Sequence, residues 1–235
     1  SYWTKWCKYF LYLMNQKTFN HNYVNVGSDI TSSETESGRM YITEDGQFPS
    51  VTTITSWEKQ EFFKIWRRQN PEESKRVTAR GNRLHSLIEC YLKNEDLSKK
   101  EIMPNDMDLF IQIKGEIDKI DNIKALETPL YGKNVGLAGR VDCIAEYNGV
   151  LSIIDFKGST RQKRKEDIDN YMMQATAYAL LWKEMTGQTI ENFVILISCE
   201  DGAVQVFQDT PINHVANLFT AIKKYKEAKC STKTM

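Results

Sequence analysis

Asp142, Asp155 and Lys157 are spaced to meet on one face of a β-hairpin. They fall in AGRVDCIAEYNGVLSIIDFKGS, residues 138–159, where two β-rich runs flank Asn148-Gly149. That dipeptide is a strong short-range signal for a type I′ turn, whose central residues both need a positive φ. A turn there pairs Tyr147 with Val150. Continuing the ladder sets Asp142 opposite Asp155 and Arg140 opposite Lys157. Facing residues share a face of the sheet, as do positions two apart, so both carboxylates and the ammonium come together. Carboxylates with Cβ atoms about 5 Å apart repel, and a cation between them is expected. A hard divalent ion, Mg²⁺ or Mn²⁺, suits carboxylate oxygens and waters. A charged lysine is no ligand. It can hold an attacking water or offset negative charge building on a phosphate, as metal-assisted hydrolysis requires. The plain alternative is a surface hairpin with a salt-bridged lysine. Against it, Asp is poorly suited to strand interiors, and Asp155 follows Leu151, Ile153 and Ile154.

Two helical patterns supply further polar groups. RGNRLHSLIE places Gly81, His85 and Glu89 four apart, on one helical face, with His85 able to reach a metal between the carboxylates. A lone helical histidine is more often structural. Downstream, Gln174 and Tyr178 are also four apart. Glu127, in KALETPL, and Glu89 read either as an added acidic contact or support for His85, or as surface carboxylates.

The elements that must hold these groups follow from hydrophobic spacing. Helices are predicted over 50–69, 78–93 and 105–120, then a β region containing the hairpin. A helix over 167–186, strands at 193–199 and 204–207, and a helix over 211–229 complete the pattern. Trp3, Trp6, Phe10 and Leu13 suggest an amphipathic helix within residues 1–19. The Ser-, Thr-, Glu- and Gly-rich stretch from 27 to 46 reads as a mobile linker with at most a short strand at 40–43. Residues 1–48 are therefore expected to be an extension and linker, and 49–235 one domain.

Composition narrows the rest. The 235 residues carry 31 Lys+Arg against 31 Asp+Glu, so any phosphate contacts must come from local clusters. Such clusters are Arg67-Arg68, Arg76/Arg80/Arg83 and the run Arg161, Lys163, Arg164, Lys165 beyond the Asp-x-Lys strand. Trp57, Phe62, Phe63, Trp66 and Tyr171 lie near them and could stack on unpaired bases, although helical spacing favours a packing role for Trp57 and Trp66. Five scattered cysteines lack the spacing of a zinc or redox site and read as free thiols of a reducing compartment, with Cys143 in the core. No apolar run is long enough for a bilayer and no targeting peptide is read at the start. A soluble intracellular protein, with no membrane partner, is expected.

The order of the motifs resembles the RecB-type branch of the PD-(D/E)XK nuclease superfamily: a GxxxH helix (Gly81–His85), a GxxD strand (Gly139–Asp142), an Asp-x-Lys strand (Asp155–Lys157) and a QxxxY helix (Gln174–Tyr178). Within it, PSVTTI, RGNRLHSLIE, KALETPL, the hairpin and the Gln-Ala-Thr-Ala-Tyr stretch come in the order of the mitochondrial-genome-maintenance and phage exonucleases, across residues 49–208. Each motif alone is weak; the ordered set is specific. The resemblance implies an α/β fold with a restriction-endonuclease-like core, a central mixed β-sheet flanked by helices. It implies a metal (Mg²⁺ or Mn²⁺) held by His85, Asp142 and Asp155, with Lys157 assisting the water. It also implies DNA contacts from Ser50, Thr52, Arg80, Ser159, Arg161, Gln174 and Tyr178. The implied activity is exonucleolytic cleavage of single-stranded DNA with free ends, beside recombination or replication proteins. Alternatives are a duplex end-resecting exonuclease working with a recombinase, and a non-catalytic DNA-binding module. Phage-like features favour the cytoplasm of a bacterial cell over a mitochondrion. Members usually carry Thr-Ser after the lysine; this chain has Gly158-Ser159. The iron–sulfur members are disfavoured, since only Cys230 lies near the C-terminal end.

Overall fold

Two sheets and seven α-helices are built from residues 2–27 and 29–232, the part of the chain that this computed structural model describes. Helix α1 (Tyr2–Met14) buries Tyr9 and packs Leu13 on the core, while Phe10 is exposed. The side chains of Trp3 and Trp6, part of the expected amphipathic pattern, lie outside the described set. A small antiparallel sheet follows: β1 (Thr31–Thr35), β2 (Gly38–Thr43) and β3 (Gly46–Pro49). The expectation of a linker with at most one short strand is thus corrected. Its Thr- and Gly-rich composition serves tight reversals instead. Gly38 and Gly46 adopt positive φ, and the Thr35 and Thr43 hydroxyls donate to their carbonyls.

The helix expected over 50–69 is interrupted. Helix α2 (Val51–Thr55) ends after one short β-branched run, a 3₁₀ turn covers Trp57–Lys59, and α3 (Gln60–Gln69) resumes. Helices α4 (Pro71–Leu92) and α5 (Pro104–Ile117) each start on a proline, which fixes φ where no amide donor is needed. The main sheet holds β4 (Ile120–Gly132), β5 (Leu137–Tyr147) and β6 (Val150–Ser159). After α6 (Asp169–Thr186) come β7 (Phe193–Cys199) and β8 (Val204–Asp209), and α7 (Val215–Thr232) closes the described chain.

Strand order is β4-β5-β6-β7-β8. Only β6 and β7 run parallel, because α6 carries the chain across the sheet between them. The sheet is therefore mixed and flanked by helices, as expected. One face packs on α2, α6 and α7 around Trp182, Ile195 and Leu218; the other packs on α4 and α5 around Ile88, Phe110 and Leu196. No helix among the described residues is long and apolar enough to cross a membrane.

Asn148 and Gly149 both take positive φ, at 48° and 78°, and the ladder runs from Tyr147↔Val150 to Cys143↔Ile154 in the predicted register. There it ends. The expected continuation, Asp142 laddered to Asp155 and Arg140 to Lys157, does not form. β5 stays with β4, setting Arg140 opposite Pro129, while β6 stays with β7, setting Lys157 opposite Ile197. The physical reason is a reset of the in–out alternation. Val141 and Ile144 pack on the α6 side, whereas Cys143 and Ala145 pack on the α4 side. Strand β4 resets at the same level: Glu127 has φ 46°, and the Thr128 hydroxyl bridges the amide and carbonyl of Leu126. β5 and β6 part at this point, and Asp142 Oδ2 accepts the Phe156 amide at 2.9 Å in place of a ladder bond.

Candidate active site

At that fork, α4 brings His85 over the sheet. Its Nδ1 lies 3.7 Å from Asp142 Oδ2 and 3.9 Å from Glu127 Oε1, contacts of charge rather than hydrogen bonds. One donor atom from each of His85, Glu127 and Asp142 lies within 4.8 Å of the others, the one such group among the described residues. Burial works against a charged His85, yet Asp142 and Glu127 outweigh it and push its pKa up to about 9. A pocket that draws in a proton this strongly is short of positive charge.

Asp155 sits beside this group, 4% exposed, and its Oδ2 accepts no well-directed hydrogen bond. Burial pushes its carboxyl up to about 6 against the pull of Lys157, with Asp142 adding to the rise. The Lys157 ammonium stands 3.1 Å from that oxygen, and a buried carboxylate bonded this incompletely can take a further cation. Two or three carboxylates and one imidazole fit a divalent ion that keeps some waters. His85, Glu127, Asp142 and Asp155 are the residues that could hold it.

Lys157 is held on three sides. Its Nζ lies 3.1 Å from Asp155 Oδ2, donates to Gln174 Oε1 at 3.0 Å and stands 4.9 Å above the Tyr171 ring. Burial opposes its charge, but Asp155 and Asp142 more than offset this and raise its pKa. Gln174 in turn donates from Nε2 to Thr52 Oγ1 at 3.0 Å, which fixes the amide with its oxygen toward the ammonium. Spacing in the sequence could not reveal this link, because 122 residues separate Thr52 from Gln174.

The remaining predicted residues divide. Thr52, Gln174 and Tyr178 line a cleft of about 660 Å³ with His85, Glu127 and Asp142. Ser50 lines it too, but its hydroxyl is used as the N-cap of α2, accepting the Thr53 amide. Glu89 reaches the cleft paired with Lys93 rather than with His85. Ser159 is buried and donates to the Arg161 carbonyl, while the Arg161 side chain is exposed. Arg80 is buried against Glu200 and Thr160. Burial and the nearby Asp142 and Asp155 hold the Tyr178 hydroxyl well above its usual pKa. Two contributions went unforeseen: Arg39 and Tyr41 of the small sheet help to wall the cleft, and Gly139 makes room for the Tyr178 ring.

Gly158 explains an orphan. Arg80 Nε is buried with no hydrogen-bond partner, and a Cβ built at Gly158 would lie 3.5 Å from it in open contact. A hydroxyl at 158 would stand within reach of that donor. Gly158→Ser should therefore stabilise the fold by about 1 kcal/mol, from the added bond and the loss of glycine freedom in a strand. An unchanged or lowered denaturant midpoint would contradict this.

A sheet that forks at two acids, with a lysine two residues beyond the second, is the arrangement of a phosphodiester-cleaving enzyme. The chain belongs to the PD-(D/E)XK nuclease superfamily, whose sequence profile matches residues 51–228. Mitochondrial genome maintenance exonuclease 1 of Xenopus tropicalis is 26% identical over 206 residues, which cover 79% of this chain and 59% of that protein. The protein of the same name from Homo sapiens is 24% identical over 158 residues (65% and 46%), and that of Mus musculus 30% over 146 (55% and 43%). The chain thus spans about half the length of these relatives. A crystal structure from Eubacterium rectale superposes over 64% of each chain at a TM-score of 0.43 and 14% identity, too distant to carry an argument.

Proposed function

We propose that the chain is a metal-dependent DNA exonuclease acting on single strands with free ends. The observation that carries this is the group His85, Glu127 and Asp142 beside the incompletely bonded Asp155 oxygen, with Lys157 held at its edge. These four side chains would bind Mg²⁺ or Mn²⁺; the ion, when bound, would supply Lewis-acid activation of a water and charge against the phosphate. Lys157 lies on the α6 side of the carboxylates, where its ammonium offsets charge growing on the phosphate oxygens. Gln174 and Thr52 hold that ammonium in one orientation, and the Thr52 hydroxyl proton remains free to meet a phosphate. Tyr178, with its hydroxyl kept protonated, borders the same space. The exonuclease names of the relatives support action from an end.

The test is digestion of oligonucleotides labelled at either terminus, a blunt duplex and a closed circle, in Mg²⁺ and in Mn²⁺. Labelled single strands should shorten while the circle persists. Preferential digestion of the duplex would favour an end-resecting enzyme that works with a recombinase. Cleavage of the circle would refute the requirement for an end, and binding without any cleavage would leave a DNA-binding module.

A further inference from the structure

Helix α3 is anomalous. Alone among the described α-helices it buries none of its residues, although Phe62, Phe63, Ile65 and Trp66 give it an apolar stripe. Phe62 is 66% and Ile65 51% exposed. An unpartnered aromatic face of this kind marks a binding surface. Phe62, Phe63, Trp66 and Arg67 of α3 line a groove of about 620 Å³ together with Arg161 and Lys163. Tyr171 belongs to the same groove and carries Lys157 over its ring, so the groove begins one side chain away from the fork.

Charge in the groove is uneven. Of its carboxylates, Glu73 is held by Arg76 and Asp167 by Arg164. Neither Arg161 nor Lys163 has a carboxylate within ion-pair distance among the described residues. The groove therefore offers flat apolar rings together with unneutralised cations. A duplex hides its base faces in its own stack. An unpaired polynucleotide exposes both flat bases and a phosphate at every step, which matches this lining.

We infer that this groove is a binding site for unpaired nucleotides, with bases stacked on Phe62, Phe63 and Trp66 and phosphates beside Arg161 and Lys163. It holds the strand a short distance from the bond being cut. The inference deepens the proposed nuclease reading and rests on it only for the position of the cut.

Binding is read without cleavage, by anisotropy in EDTA, on a labelled oligo(dT) and an oligomer of the same length whose sugars lack bases throughout. Phe62→Ala/Trp66→Ala should weaken oligo(dT) binding at least about tenfold, as loss of stacking predicts. It should leave the abasic oligomer within about twofold, because that oligomer has no rings to lose. Arg161→Ala/Lys163→Ala should weaken both and flatten the salt dependence. Melting curves confirm that each variant is folded, and Phe62→Trp should restore affinity. Parental affinity of the aromatic variant for oligo(dT), or an equal loss on both oligomers, overturns the groove. If the parent binds in this pattern yet cuts nothing in Mn²⁺, the nuclease reading fails and the groove stands.

Discussion

Lys157→Ala should lose at least about 10²–10³-fold in cleavage rate while single-strand affinity stays near that of the parent, since an electrostatic donor acting on the transition state is removed. The prediction follows from how the ammonium is held. Asp155, Gln174 and Tyr171 fix it from three directions, so no neighbour can swing in to replace it. The same substitution strips Asp155 of its nearest counter-charge. Removing one member of a buried ion pair is expensive, of the order of 3–5 kcal/mol, and Asp155 can soften this by taking up a proton. The variant should therefore melt earlier than the parent in EDTA and recover part of the difference when Mn²⁺ is added. A variant that cleaves at the parental rate would remove Lys157 from the chemistry.

Gly139→Val should be strongly damaging although it touches none of the charged groups. A Cβ at 139 would lie 2.9 Å from the Tyr178 Cε1 and Oη atoms and 3.2 Å from Val51 Cγ2. Neither neighbour can retreat: Tyr178 and Val51 are buried in the core on the α6 side. Overpacking of this kind costs about 1–3 kcal/mol, and the added methyls of valine place it at the upper end. Tyr178 would also be pushed from its place near Asp142, so activity should fall with stability. Gly81→Ala is the control, because a Cβ there meets nothing within 4 Å. It should be neutral or stabilise by up to about 1 kcal/mol through helix propensity. Unchanged denaturant midpoints for Gly139→Val would show that the close approach is not real.

These contrasts mark what the residue order could and could not convey. The Asn148-Gly149 turn is a local signal, since two adjacent residues with positive φ set the register of everything that follows, and five ladder pairs obey it. The helix phases that put His85 and Gln174 on inward faces were equally legible, because 3.6-residue periodicity is a property of the segment itself. What local patterns could not carry is the fork. The ladder fails at Asp142 because two strands reset their alternation together, and one of them does so through Glu127, a residue type that seldom takes positive φ. That backbone costs about 1–3 kcal/mol, and strain of this size tends to collect at functional sites. It turns Glu127 toward His85 and raises it from a supporting carboxylate to a full member of the group. Of the small sheet over 31–49 only the strand at 40–43 is legible, for a related reason. β1 is Ser- and Thr-rich with little apolar content of its own, and the sheet is defined by tight turns and by Ser50 docking beside Ala138.

His85, Glu127, Asp142 and Asp155 should share one cation site. Calorimetric titration of Mn²⁺ into the nucleic-acid-free protein tests it most directly, comparing the parent with Asp142→Asn and Glu127→Gln. Saturable binding to the parent is expected, weakened by each substitution at least about tenfold, the scale seen when groups around a metal are altered. Equal Mn²⁺ affinity in all three proteins would contradict it, because the carboxylates at the fork would then be holding no metal.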